Sequence, residues 1–154
     1  MPGGIVRLYF LSRNLGFTDP LARALGSEFE TRASDIVHFD QWNNLLEWCE
    51  VILLDLRSAT ARGDCESGLR LLDEIRNLPQ HPPIVALCDE GNTQVIYVAI
   101  ERGAYDAITN PPNMMELRLV LHRAHRSYAA EQEMERLKTN ARGTGRLHEL
   151  LGTT

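Results

Sequence analysis

The sequence lacks the features that mark disulfide-linked, membrane-spanning and nucleic-acid-binding proteins. Its 154 residues include only three cysteines, an odd number without C-x-x-C spacing, which argues against a disulfide framework and a zinc site. No apolar run approaches the roughly 20 residues of a membrane helix, and no secretory leader is evident. The formal net charge of -5 disfavours direct contact with nucleic acid. These absences predict a cytoplasmic protein that binds neither membranes nor nucleic acid through this segment.

What the chain does contain is an alternation of strand-like and helix-like segments. Strand-like, mainly apolar runs lie at 5–11, 51–56 and 84–88, and the run at 51–56 is typical of a strand buried on both faces. Shorter strand candidates lie at 29–33 and 107–109. Because helical patterns separate the strands, we predict an α/β fold with a doubly wound, five-stranded parallel sheet.

Capping residues predict where several helices begin and end. Thr18-Asp19-Pro20 is typical of a helix start, with Pro20 at the first helical position. Gly103 is typical of a helix end and predicts the end of a helix over 92–102. A long helical pattern runs from about Asn113 to Lys138. The TNARGTG stretch that follows indicates a flexible linker.

Candidate functional residues lie where the predicted strands end. In parallel α/β sheets, functional groups gather at the carboxyl ends of the central strands. Asp55 ends a buried strand, where a carboxylate costs desolvation energy unless a partner compensates it. The residues that end the other strands are Ser12, Arg13, Cys88 and Asn110.

The phrases VILLDLR, GLRLLDEIR, PPIVAL and RGAYDAITNPP resemble the receiver domain of response regulators, over residues 5 to about 125. The ending GRLHELLGTT resembles the lead-in to the ATPase domain of NtrC-like, sigma-54-dependent transcriptional regulators. The resemblance implies a flavodoxin-like (CheY-like) receiver domain at 1–126, extended by a C-terminal helix. It also implies a linker helix and ATPase lead-in at 127–154, with ATPase and DNA-binding domains in the full-length protein.

Receiver domains accept a phosphoryl group on one aspartate, and the resemblance places that acceptor at Asp55. Two acids that hold magnesium fall on Ser12 and Arg13, so the metal site is lost. The remaining positions also depart from the family: the hydroxyl falls on Cys88, the lysine on Asn110 and the switch aromatic on Ala107.

These departures predict a pseudo-receiver, a regulatory module without enzymatic activity, metal or cofactor. One alternative is a phosphoacceptor that is modified at Asp55 and served by a histidine kinase. A second alternative is a flavodoxin-like enzyme or flavin binder, although only Ser12, Gly16 and Thr18 resemble a phosphate loop. For Asp55 two arrangements stay open: Arg13 reaches it as a counter-charge, or Arg13 points to solvent and Asp55 caps the following loop.

The resemblance also implies a cis bond at Asn110-Pro111, which we expect to direct Asn110 toward Asp55. For the last helix we predict a two-fold homodimer, the alternative being a helix that folds back on its own domain. The predicted dimer seam has alternating spacings of four and three: Leu117, Leu121, Ala124 and Tyr128. Asp89 and Glu90 are interpreted as solvated residues rather than as a relocated acid pair. His122 and His125 are interpreted as solvated helix residues rather than as a metal site.

Overall fold

A computed structural model describes residues 4–36, 39–57 and 66–150, with side chains described as far as residue 140. Strands and helices alternate along the chain as predicted. The strands are β1 (Val6–Ser12), β2 (Phe29–Asp35), β3 (Val51–Asp55), β4 (Ile84–Asp89) and β5 (Asp106–Asn110). The helices are α1 (Leu15–Leu25), α2 (Trp42–Trp48), α3 (Glu66–Arg76), α4 (Thr93–Glu101) and α5 (Met114–Leu150).

The strands form one five-stranded parallel sheet in the order β2-β1-β3-β4-β5, which confirms the predicted fold. Leu54 of β3 lies beside Leu11 of β1 and Ala86 of β4 in the register of the sheet. The central strands are buried along nearly their whole length, because helices cover both faces. The carboxyl ends of β1, β3 and β4 consequently meet at one edge.

The sheet separates two hydrophobic clusters. One contains Leu45 of α2, Leu72 of α3 and Ala99 of α4. The other contains Leu25 of α1 and Leu121 of α5. Each helix therefore buries an apolar stripe against the sheet, and this packing fixes the carboxyl edge that carries the candidate site.

The first half of α5 is part of the domain core, which corrects the predicted dimer seam. Leu117, Leu121 and Ala124 have no exposed surface and pack in the cluster with α1. These three residues cannot face a second copy, so the alternative of a helix folded back on its own domain is right for this half. Tyr128, one turn further, is only partly buried.

The second half of α5 corrects the predicted linker. The helix continues through the TNARGTG stretch to Leu150. Glycine in a helix interior costs about 1 kcal/mol relative to alanine but removes no hydrogen bond, and no proline interrupts this stretch. Residues 151–154, the end of the proposed ATPase lead-in, lie outside the described residues.

Helix α1 begins five residues earlier than predicted, at Leu15, so that Pro20 lies inside it. Proline forfeits one helical hydrogen bond, a loss offset by the burial of Leu21 and Leu25 on the same helix. The predicted end of α4 is confirmed: Gly103 follows the helix with φ of 107°, a conformation that favours glycine. In the part of the chain that the structure describes, no helix has the length and apolar character needed to span a bilayer.

Candidate functional site

Asp55 is the last residue of β3, and its carboxylate is held from two directions. Ser12 at the end of β1 is buried and donates its hydroxyl proton to Oδ2 at 2.8 Å. The backbone N–H of Arg57 donates to Oδ1 at 3.0 Å, a hydrogen bond from residue i+2 that caps the chain as it leaves the strand. The Asp55 side chain is 9% exposed, so its charge is largely removed from water.

The positive partner of Asp55 is Arg57. Its Nε donates to Oδ1 at 2.9 Å, and its Nη2 donates to Oδ2 at 2.8 Å. Two parallel hydrogen bonds of this kind form the bidentate arrangement in which guanidinium and carboxylate match best. The hydrogen-bonded Asp55 raises the pKa of Arg57 above its ordinary value, and this direction agrees with a tightly paired cation.

Two further residues act on the Arg57 guanidinium. The ring of Phe17 in α1 lies under it, with the ring centre 3.8 Å from the guanidinium carbon, a cation–π contact. The charge of Asp89 at the end of β4 also raises the pKa of Arg57. Asp89 therefore ends β4, at the same edge of the sheet as Asp55 and Arg57, and its charge acts on Arg57.

Arg13 does not pair with Asp55, so the first of the two open arrangements, with Arg13 as the counter-charge, is wrong. Its Nη2 donates instead to Oγ of Ser67 in the first turn of α3, at 2.8 Å. The other arrangement is right that Asp55 caps the following loop, as the Arg57 backbone hydrogen bond shows. It is wrong that Arg13 points to solvent, because Arg13 is hydrogen-bonded to Ser67. The Asp-x-Arg spacing of residues 55 to 57 is the signal that could have identified Arg57 from the sequence.

The other predicted pocket residues lie on β4 and β5. Cys88 is fully buried in the hydrophobic cluster that also contains Leu72, and Ala107 is partly buried and packs against that cluster. The Asn110-Pro111 bond is cis, as predicted. However, no hydrogen bond joins Asn110 to Asp55, whose partners among the described side chains are Ser12 and Arg57.

The residues around Asp55 do not fit the magnesium ion that the resemblance implies. Magnesium requires several oxygen ligands in octahedral geometry. Here one acid position is a serine whose proton points to Asp55, the other is an arginine, and both Asp55 oxygens accept from Arg57. Across residues 4–36, 39–57 and 66–140, no group of three or more acidic, histidine or cysteine side chains forms a metal site.

Neither of the remaining candidate ligand sites is supported by the geometry. His122 lies 2.9 Å from Glu28, and His125 lies 2.9 Å from Glu50, so each histidine of α5 contacts a carboxylate instead of sharing a metal. The hydroxyl of Thr18 donates to the carbonyl of Leu15 at 2.7 Å, so its proton is not directed at a flavin phosphate.

Comparison with known proteins identifies relatives over most of the domain. No family model matches the chain. The nitrogen assimilation regulatory protein NtrX of Azorhizobium caulinodans is 35% identical over 88 residues, which are 57% of this chain and 19% of that protein. The crystal structure of Brucella abortus NtrX in complex with ADP has a TM-score of 0.67 and 30% identity, over 87% of this chain and 29% of NtrX.

A single-domain structure has the same fold. The N-terminal signal receiver domain of a response regulator from Bacteroides fragilis has a TM-score of 0.63 and 20% identity, over 79% of this chain and 98% of that domain. The chain thus spans nearly all of an isolated receiver domain but less than a third of the NtrX proteins. The predicted resemblance is confirmed: the chain has the fold of response-regulator receiver domains and is similar in sequence and structure to part of NtrX, a nitrogen assimilation regulatory protein.

Proposed function

We propose that this domain is the signal-receiving part of a bacterial, NtrC-like, sigma-54-dependent regulator, and that it works without phosphorylation of Asp55. In this proposal the domain is cytoplasmic and non-enzymatic. It controls attached ATPase and DNA-binding domains by packing against them or against a second copy. The relationship to NtrX supports the domain context, since Brucella abortus NtrX has been crystallised in complex with ADP and with ATP.

One observation carries the proposal: both Asp55 oxygens accept hydrogen bonds from the Arg57 guanidinium, at 2.9 and 2.8 Å. A carboxylate attacks phosphorus with an oxygen lone pair, and these oxygens are engaged by Arg57 and Ser12. The charged groups that stabilise phosphoryl transfer in receivers are missing too, because Arg13 contacts Ser67 and Asn110 replaces the lysine.

Incubation of the 154-residue chain with a small phosphodonor and Mg²⁺, followed by intact-mass measurement, tests this proposal. We expect no added phosphoryl mass in the chain or in its Asp55→Asn variant. Asp89→Asn serves as the control, because Asp89 is the neighbouring acid at the same edge. An adduct that forms on the unaltered chain and on Asp89→Asn but not on Asp55→Asn would establish the alternative, a phosphoacceptor served by a histidine kinase.

We also propose that the chain is a homodimer through the second half of α5. Ala130, Met134 and Leu137 follow one another at spacings of four and three, and Met134 and Leu137 are 59% and 51% exposed. A narrow apolar stripe of this kind suits pairing with a second helix and is poorly stable alone in water. The seam lies beyond the residues that α5 buries in its own domain.

Light scattering of paired variants tests the dimer. Met134→Glu with Leu137→Glu introduces like charges into the proposed seam, and we expect a monomer mass. Met115→Glu with Leu119→Glu is the matched control, since both residues are exposed on the first half of the same helix, and it should leave the dimer intact. A monomer mass for the unaltered chain, or dissociation by the control pair alone, would contradict the proposed seam.

A further inference from the structure

We infer that the Asp55 pocket is a cation site filled by the chain itself, with the Arg57 guanidinium in the charge-neutralising role that a divalent ion would otherwise take. The inference deepens the proposed function and rests on it. It assigns to Arg57 the exclusion of metal from the pocket, so that acids placed around Asp55 bind an ion tightly only when this one side chain is removed.

The first argument is the charge balance at Asp55. A carboxylate that is 9% exposed needs a compensating charge, and the neutral hydroxyl of Ser12 supplies only a hydrogen bond. Arg57 supplies a full positive charge through two hydrogen bonds and adds a third from its own backbone N–H. Asp55 therefore has its charge neutralised and both oxygens engaged without an ion.

The second argument is that Arg57 is held in place by more than Asp55. Phe17 lies under the guanidinium plane at 3.8 Å, and the charge of Asp89 favours the cation from the end of β4. The Arg57 side chain is only 18% exposed. An entering ion would therefore have to displace a cation that is paired, stacked on a ring and partly buried.

The third argument is that the two arginines at this edge do different things. Arg13 donates to Ser67 and makes no hydrogen bond to Asp55 among the described side chains, although it occupies a metal-binding position of receivers. Replacing Ser12 and Arg13 by acids would restore the ligand types of a metal site but leave Arg57 in the pocket. This separation allows the contribution of Arg57 to be measured by itself.

Titration with Mn²⁺, monitored by paramagnetic broadening of backbone amide signals, tests the inference. The acid-pair variant is Ser12→Asp with Arg13→Asp, and the test variant adds Arg57→Met. The control variant adds Arg23→Met to the acid pair instead, since Arg23 is exposed on α1 and its loss changes the net charge equally. We expect the test variant to bind Mn²⁺ at Asp55 at least about tenfold more tightly than the other two.

Equal affinity of the acid-pair and test variants would overturn the inference. Should the test variant fail to fold, the unaltered chain decides: Mn²⁺ should cause no selective broadening at residues 12 and 55–57, and selective broadening there would also overturn it. Either result can be distinguished from a failure of the proposed function, because that failure would be seen as phosphoryl transfer to Asp55. Mn²⁺ binding at Asp55 in the absence of phosphoryl transfer would refute only the metal-excluding role of Arg57.

Discussion

Arg57 lies two residues after Asp55 and closes back on it, so that one short stretch of chain carries both charges of a bidentate ion pair. Because the pair joins the end of β3 to the start of the β3–α3 connection and contacts Phe17 of α1, it contributes to stability as well as to chemistry. Breaking a largely buried pair leaves one charge uncompensated, which costs more than removing both partners.

The first prediction concerns the free energy of unfolding. Arg57→Met leaves Asp55 with Ser12 as its side-chain partner, and we expect destabilisation by about 3 kcal/mol in chemical denaturation. Asp55→Asn combined with Arg57→Met should cost less than the sum of the single changes, because no buried charge remains. Arg13→Met is the control: it removes a hydrogen bond to Ser67 and should cost about 1 kcal/mol, clearly less than Arg57→Met. Additive single changes would show that the pair is not coupled.

The second prediction concerns the contact between α3 and the residue after β3. A Cβ at Gly68 would lie 2.5 Å from Cδ2 of the buried Leu56. We expect Gly68→Ala to destabilise the domain by about 1–2 kcal/mol, the usual range for overpacking. Leu56→Ala in the same chain should remove the clash, so the two changes should be strongly non-additive. Gly16→Ala in α1 should cost much less, because its Cβ would lie 3.3 Å from Oδ1 of Asn14.

The third prediction distinguishes the core face of α5 from its exposed face. Leu121 has no exposed surface and packs with α1, whereas Leu119 is 54% exposed. Leu121→Ala should therefore cost about 2–5 kcal/mol of unfolding free energy, and Leu119→Ala well under 1 kcal/mol. Similar losses for both variants would contradict the assignment of the first half of α5 to the domain core.

The fourth prediction concerns thiol reactivity. Burial raises the pKa of the Cys49 thiol, so the reactive thiolate is scarce at neutral pH and stays scarce as the pH rises toward the pKa of an ordinary cysteine. Cys49 and Cys88, both buried, should be alkylated only on unfolding, even at mildly alkaline pH. Mass mapping of alkylated peptides in native and denaturing buffer measures this. Rapid native alkylation of Cys49 would contradict its burial.

The sequence predicts the sheet well, because runs such as 51–56 are apolar enough to be buried on both faces and helical patterns separate the five strand candidates. The same pattern cannot assign the α5 stripe. A spacing of four and three residues suits a partner helix and a domain core equally, and Leu117, Leu121 and Ala124 serve the core. Residue spacing does not indicate whether the apolar stripe of a helix packs on its own domain or on a second copy of the chain.

The site is predictable in outline but not in its ion pair. Strand ends correctly place Ser12 and Asp55 together, because the register of parallel strands brings these ends to one edge. The choice of Arg57 over Arg13 depends on the side-chain direction just after β3 and on the ring of Phe17, which stacks on one arginine and not the other. Such choices are made by three-dimensional contacts that strand and helix periodicity does not encode.

The central claim is that Arg57, and not a metal ion, neutralises Asp55. Nitrogen-proton NMR of the Arg57 Nε–H group in the unaltered chain tests this claim most directly, because that proton is donated to Asp55 Oδ1. We predict a slowly exchanging Nε–H signal that is unchanged by millimolar Mg²⁺ and that is lost or shifted in Asp55→Asn. An Nε–H signal that exchanges as rapidly as in a free arginine, or that moves when Mg²⁺ is added, would contradict it.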